Sequence, residues 1–160
     1  MREIKFRGKR LDNGKWVAGD LLHGKDGKML ISTGTKMFKT YAEVNPDTIG
    51  QFTGHRDMKG REIYEGDILR RDWSYRTDPD YDDRGSITGY DYEREGHIIA
   101  PVAFASSSGF HTKGGYSIMH NPAPGEPSLV ACTINKLKAK KSMVIGNVHE
   151  SPDLLKAPNT

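Results

Sequence analysis

Residues that favour turns interrupt this chain so often that only short strands fit between them. Eighteen glycines and eight prolines occupy about 16% of the 160 residues, against a usual ~12%. An Asp-Asn-Gly sequence at residues 12–14 and a Lys-Asp-Gly-Lys sequence at 25–28 are typical of tight hairpin turns, because these residue types tolerate positive φ. The pattern predicts a β-rich fold whose first third is built of hairpins.

Residues 3–9 and 49–54 alternate apolar and polar side chains, which is the period of a half-buried strand. Further segments with the character of strands are residues 15–22, 29–31, 97–104, 114–119, 129–134 and 143–148. Near the end, Ser151 is followed by a proline and an aspartate, a combination that predicts one short helix over 151–156.

The length suits one compact domain. We therefore expect a single domain over residues 1–160, mainly β, with a small SH3-like or related β-barrel. N-terminal hairpins and a short C-terminal helix complete this expected fold. The chain is polar, with a mean hydropathy of −0.69, and it contains no apolar run long enough for a helix that spans a membrane. We therefore expect no membrane association.

The charge is distributed unevenly along the chain. Residues 72–97 carry eight acids against three arginines, so this segment is −5 within a chain of net charge +3, and the remainder is +8. The segment has few aliphatic residues and no sustained period of a strand or helix. We predict a long acidic, tyrosine-rich insertion or mobile loop there, because a structureless stretch of this length is uncommon inside a compact domain.

The compartment and the catalytic classes are constrained by what the sequence lacks. The N-terminus has no signal-peptide pattern, and the single cysteine, Cys132, forms no disulfide framework or zinc cluster. We therefore expect a cytoplasmic protein. The six histidines show no metal-ligand spacing, and no Gly-x-Ser-x-Gly sequence is present. We predict no cofactor and favour a protein that is not an enzyme.

Two weaker chemical hypotheses remain open in the sequence. Asp78, Asp80 and Asp82 alternate like the first ligands of a calcium loop, but the glycine and the closing glutamate of that loop are missing. We interpret them as a solvated acidic segment. An enzyme would instead need residues such as His55, Glu65 and Asp67 to converge on one cleft.

Four lysines near the C-terminus favour contact with phosphate groups. Lys136, Lys138, Lys140 and Lys141 lie within six residues, and such cations release counterions from nucleic acid when they bind it. The alternative is that they flank or form an edge strand, which lysine protects against aggregation. The four lysines are the candidate residues of a nucleic-acid interface.

Four tyrosines in the acidic segment favour contact with another protein. Tyrosine supplies a large contact area at a low cost in side-chain entropy. The candidate residues are Tyr75, Tyr81, Tyr90 and Tyr92. Their partner is expected to be a basic surface or a neighbouring subunit.

Residues 53–69 carry a distinctive block, in which Thr-Gly is followed by Asp-Met-Lys-Gly and then by Glu-Ile-Tyr-Glu-Gly-Asp-Ile. With the opening block at 1–7 and the closing block at 144–155, this block resembles the YopX family of phage and prophage proteins. His55 departs from the leucine that is frequent there, and residues 72–97 are longer and more acidic than expected. The resemblance implies a mainly β fold and no established biochemical activity.

Two functional hypotheses follow. The first is a non-enzymatic interaction module in the cytoplasm of a bacterial host cell, which forms a homo-oligomer or binds a phage or host protein. The alternative is a nucleic-acid-binding β-barrel that uses its basic body. The residues also suggest that the block at 53–69 serves architecture, because its turn and its Gly-Asp pair direct the entry of the next strand.

Overall fold

The computed structural model describes residues 3–34, 37–105, 109–120, 122, 128–131 and 138–158; at 77, 78, 91, 92, 130 and 131 it describes the backbone alone. Its strands are β1 Phe6–Lys9, β2 Trp16–His23, β3 Met29–Gly34, β4 Lys39–Glu43, β5 Gly50–Arg56, β6 Glu62–Tyr64, β7 Asp67–Tyr81, β8 Ile87–Ala105, β9 Gly109–Thr112, β10 Tyr116–Met119, β11 Leu129–Ala131 and β12 Met143–Asn147. Short 3₁₀ helices lie at Pro46–Thr48, Ala139–Lys141 and Pro152–Leu155.

The first sheet contains the N-terminal half of the chain in the order β4-β3-β2-β1-β5-β6. Its neighbouring strands pair antiparallel. The turns predicted at residues 12–14 and 25–28 join β1 to β2 and β2 to β3, and Gly14 and Gly27 adopt φ of +67° and +74° there. The predicted N-terminal hairpins are therefore confirmed.

The second sheet has the order β11-β10-β8-β7-β12, with β9 also paired to β8. Ile68 and Leu69 are adjacent on β7 and point to opposite faces, as successive strand residues do. Ile68 packs in a cluster with Ile99 and Tyr116, whereas Leu69 packs in another with Ile63 and Val102. This sheet is thus covered on both faces.

The mainly β prediction is confirmed, but the predicted SH3-like barrel is not observed. The described strands form two open sheets. The first sheet ends with β5 and β6, and the chain then enters the long β7–β8 hairpin of the second sheet. The predicted C-terminal helix is a single 3₁₀ turn at Pro152–Leu155, and the side chain of Ser151 does not cap it. A segment of four residues is too short to sustain an α-helix.

The prediction of a long loop over residues 72–97 is wrong, because most of the segment forms the two strands β7 and β8. The strands remain paired from Trp73 opposite Gly96 to Tyr81 opposite Ile87. The strands of this ribbon contain few aliphatic residues, and cross-strand pairs of polar and aromatic side chains support it instead. Residues 74–95 of this hairpin are called the arm below.

Candidate functional site

The arm extends beyond the strands that flank it. Pairing of β12 with β7 stops at Arg70, and pairing of β10 with β8 stops at Gly96. In the part of the chain that the structure describes, no further strand pairs with the outer edges of the arm. The arm is therefore a two-stranded ribbon over most of its length, with the amide of His120 bound to the carbonyl of Glu95 at its base at 2.8 Å, and the edge of such a ribbon can pair with another chain.

Large side chains are exposed along the arm. Tyr75 is 47% exposed, Tyr81 62%, Ile87 52% and Tyr90 39%. Three of the four tyrosines predicted to contact a protein are thus accessible, whereas the side chain of Tyr92 lies outside the described residues. Arg76 spans the two strands, since its guanidinium lies 5.0 Å from the ring of Tyr90 and 3.7 Å from the carboxylate of Glu93.

An aromatic pair marks the base of the arm. The rings of Trp73 and Tyr75 stack at 5.5 Å, and the indole nitrogen of Trp73 donates a hydrogen bond of 3.1 Å to Ser117 Oγ. Gly96 lies opposite Trp73, and a Cβ at this position would stand 2.7 Å from the Trp73 ring. The glycine therefore lets the indole lie across the neighbouring strand.

The tip of the arm is a turn that uses one of the proposed calcium ligands. The carboxylate of Asp82 accepts hydrogen bonds from the backbone amides of Arg84 at 2.9 Å and Ser86 at 2.8 Å. Gly85 adopts a φ of +78° within the turn. Asp82 thus organises the tip, while the side chain of Asp78 lies outside the described residues. Among the described residues, no group of three or more His, Cys, Asp or Glu side chains is arranged to hold a metal ion.

The lysine cluster surrounds a 3₁₀ turn. Lys138, Lys140 and Lys141 are exposed on and next to Ala139–Lys141, and Ala139 is buried beneath them. Lys136 lies outside the described residues. The three described lysines are therefore not on a strand, but they flank the edge strand β12, which agrees with the alternative interpretation. The buried alanine fixes the backbone from which they project.

A groove of about 690 Å³ brings two of these lysines to the base of the arm, where Arg70, Arg71, Trp73 and His120 also line it. Arg70 is engaged with Asp72 at 3.0 Å. By contrast, no carboxylate of the described residues forms an ion pair with Arg71, Lys138, Lys140 or Lys141. Sequence reasoning found the lysines but missed Arg71, which is brought to them by the pairing of the sheet.

Two histidines stand beside this groove. His97 Nδ1 and His120 Nε2 are 2.8 Å apart, and His120 Nδ1 lies 4.0 Å from the carboxylate of Glu95. Burial, together with the nearby positive charge of Arg70 and the ring of His120, holds the pKa of His97 below its usual value. The neutral form of His97 is thus favoured, which suits a hydrogen bond between the two rings.

Comparison with known proteins identifies the family. A family model described as YopX protein matches residues 5–156. The chain belongs to the YopX family. A search of curated proteins found no match. Among solved structures, protein EF1440 from Enterococcus faecalis is similar at 22% identity and a TM-score of 0.44, over 98% of this chain and 100% of that one. No helix among the described residues has the length and apolar character needed to cross a bilayer.

The three blocks that resemble the YopX family meet in the structure. Asp57, in the central block, accepts a hydrogen bond from the amide of Val144 in the closing block at 3.1 Å. Asp67, also in the central block, pairs with Arg7 of the opening block, with Nη2 and Oδ1 2.6 Å apart. The parts of the sequence that identify the YopX family therefore form the junction between the two sheets.

Asp57 organises the turn of the central YopX block. Its carboxylate accepts the backbone amides of Lys59 at 2.8 Å and Arg61 at 2.9 Å, and its side chain is fully buried. Burial raises the pKa of Asp57, but the amides of Val144, Arg61 and Lys59 and the Arg61 guanidinium outweigh this effect and lower it overall. The carboxylate thus remains ionised as the fixed centre of the turn.

The buried ion pair of Arg7 and Asp67 lies below two aromatic rings. The Arg7 guanidinium is 4.7 Å from the Trp16 ring and 4.9 Å from the Tyr64 ring, and Asp67 also accepts the amide of Tyr64 at 2.8 Å. The side chain of Asp67 is 1% exposed. Burial raises the pKa of Asp67 above its usual value, although the positive charge of Arg7 opposes the shift.

The residues of the proposed cleft do not converge. The amide of Glu65 binds the carbonyl of Gln51, near the start of β5, whereas His55 is exposed near the other end of that strand. Four strand residues span about 13 Å. Asp67 faces Arg7, which is opposite Gly50. His55 therefore lies apart from both acids, while Asp57 and Asp67 of the central YopX block contact Val144 and Arg7.

Proposed function

We propose that this member of the YopX family is a non-enzymatic protein-interaction module in the cytoplasm of a bacterial host, and that the arm is its contact element. Its first partner is a second copy of the same chain, so that the protein forms a homo-oligomer. A phage or host protein is the alternative partner for the same element. The observation that carries the proposal is the extension of the arm beyond the strands that flank it.

The physical state of the arm supports this proposal. An isolated two-stranded ribbon is marginally stable in water, and this one exposes Tyr75, Tyr81, Ile87 and Tyr90. Exposed aromatic side chains gain free energy when a partner covers them. A partner surface would therefore stabilise the arm and bury its apolar area in one step.

The charge of the arm favours a basic partner. Residues 74–95 carry seven acids and three arginines, a net charge of −4 within a chain of +3, so the remainder of each copy is +7. Opposite charges on two surfaces of one chain steer two copies together and raise the rate of encounter. A second copy supplies the required basic surface, which is the reason for placing self-association first.

The test is the molar mass in solution, measured by size-exclusion chromatography with light scattering. A short-arm variant replaces residues 75–94 by Asn-Gly, which joins Ser74 to Glu95, already paired across the ladder. We expect the full chain to form a concentration-dependent oligomer and the short-arm variant to be a monomer. A monomeric full chain at all concentrations would overturn self-association.

Point variants separate the arm from exposed apolar residues elsewhere. Tyr81→Ser with Ile87→Ser removes two facing side chains at the arm tip, and we expect it to weaken the oligomer about tenfold or more. Leu11→Ser with Met58→Ser is the matched control, because these residues are 59% and 64% exposed outside the arm. Equal weakening by both variants would contradict a contact through the arm.

A pull-down from lysogenic cells tests the alternative partner. The full chain and the short-arm variant are used as paired baits, and proteins are quantified by mass spectrometry. A phage or host protein that is captured by the full chain and lost with the short-arm variant would support binding through the arm. Capture that is equal for both baits would assign the contact to the body of the protein.

A further inference from the structure

The lysines around Ala139–Lys141 connect three grooves into one path. The groove at the base of the arm shares Lys138 and Lys141 with a second groove of about 450 Å³. The second groove shares Lys140 and His55 with a third of about 690 Å³. A ligand that follows this path is extended rather than compact, and it meets cationic side chains along its length.

Four cations of this path are free to bind an anion. Arg71, Lys138, Lys140 and Lys141 have no ion-pair partner among the described residues, and they are called the basic band. The acids of the first groove do not neutralise them, because Asp72 is engaged by Arg70 at 3.0 Å and Glu95 lies 4.0 Å from His120. Unpaired cations in a row are the arrangement that follows a phosphodiester backbone.

The surroundings of the basic band favour a single strand over a duplex. At one end, Trp73 lines the groove and stacks on Tyr75, which is 47% exposed. Bases stack on such rings when they are unpaired.

We propose that the basic band binds single-stranded nucleic acid, with the phosphates along Arg71, Lys138, Lys140 and Lys141 and one base stacked against the Trp73–Tyr75 pair. The binding is sequence-tolerant, because stacking and phosphate contacts do not distinguish bases strongly. Its phosphate contacts lie outside the arm, whereas Tyr75 belongs to the arm, so a partner that covers Tyr75 would compete with the stacked base.

The first experiment measures fluorescence anisotropy of labelled oligo(dT) and oligo(U) of about 20 nucleotides, with a duplex of the same length, at 50 to 200 mM salt. Four neutralised phosphates predict a slope of about −2.8 for log K against log salt, and therefore roughly a 50-fold loss of affinity over this range. No binding of either single strand at 50 mM salt, or tighter binding of the duplex, would overturn the proposal.

Charge variants locate the binding surface. Lys138→Gln with Lys141→Gln removes two phosphate contacts and is expected to bring the slope to about −1.4. Lys15→Gln with Lys25→Gln has the same change in charge on exposed turns of the first sheet and is expected to leave the slope near −2.8. Equal effects of the two variants would show that the net charge, not the basic band, binds the strand.

A stacking variant and a competitor complete the test. Tyr75→Ala is expected to weaken oligo(dT) binding about tenfold with an unchanged salt slope, because a base loses its stacking partner while the phosphate contacts remain. An affinity unchanged by this variant would contradict the placement of the base. A poly-glutamate peptide that displaces the oligonucleotide at equal concentration would assign the basic band to an acidic protein and overturn the proposal.

Discussion

The carboxylate of Asp57 holds the backbone amide of Val144 at 3.1 Å across 87 positions of sequence. The same carboxylate also organises the turn that precedes β6, through the amides of Lys59 and Arg61. One buried side chain thus joins a local turn to the last strand of the second sheet. The local geometry and the long-range packing of the protein depend on this single group.

Asp57→Ala is expected to lower the free energy of unfolding by about 3 kcal/mol, because it leaves the amides of Lys59, Arg61 and Val144 without their acceptor. Asp57→Asn keeps one carbonyl oxygen and is expected to cost less. Urea unfolding followed by circular dichroism measures both values. Asp20→Ala removes an exposed carboxylate of β2 as a control, and a loss as large as that of Asp57→Ala would contradict the special role of Asp57.

Stability in acid depends on the same carboxylate. The pKa of Asp57 is lower in the folded protein than its usual value, so the unfolded chain binds the proton first as the pH falls through about 4. This contribution to stability is present above that pH and is lost below it. Burial raises the pKa of Asp67, so protonation of Asp67 opposes this loss of stability in acid.

Comparison with Asp57→Asn isolates the contribution of Asp57. Urea unfolding at pH 7, 4 and 3 is expected to show a steeper loss of stability in the unsubstituted protein than in the variant. Parallel profiles for the two proteins would show that the acid sensitivity comes from other groups.

The ion pair between Arg7 and Asp67 gives a prediction whose magnitude depends on pH. Arg7→Leu leaves a buried carboxylate without its counter-charge, so we expect a loss of about 3 kcal/mol at pH 7. The loss should shrink as the pH is lowered, because Asp67 then becomes neutral by binding a proton. Adding Asp67→Asn should restore part of the stability. An additive result in this double-mutant cycle would contradict direct coupling.

Gly96 controls the position of Trp73. A Cβ there would lie 2.0 Å from the carbonyl oxygen of Ile118 and 2.7 Å from the indole, so Gly96→Ala is expected to cost about 2 kcal/mol through strain. Gly89→Ala on the same strand is the matched control, because the nearest atom to its Cβ is the flexible carboxylate of Asp80 at 3.3 Å. Thermal unfolding that shows equal losses for both variants would contradict this explanation.

The hairpins of the first sheet were predictable because the signals that form them are local. Asp-Asn-Gly at residues 12–14 specifies a turn, and the alternation on either side specifies the strands. Gly66 and Asp67 likewise mark the start of β7, where Gly66 adopts a φ of +81°. Such features depend on neighbours in sequence, so tertiary contacts do not alter them.

The arm and the basic band were not predictable in the same way. Strands of the arm carry charged pairs such as Arg76 and Glu93 in place of buried aliphatic residues, so the aliphatic pattern of a half-buried strand is absent. Arg71 meets Lys138 at a groove because β7 and the 3₁₀ turn are brought together by the second sheet. A pairing between distant residues leaves no local pattern to find.

The place of β12 beside β7 has a consequence for synthesis on the ribosome. The strands of the first sheet have all been made once residue 64 is added, but the second sheet waits for Met143–Asn147. Domains begin to fold from the N-terminus as the chain emerges, so β7 is made long before its outer neighbour. A polypeptide released early would have an unpaired edge on β7, and its Asp57 carboxylate would lack the amide of Val144. Such a polypeptide would be prone to aggregation and to degradation by quality-control proteases.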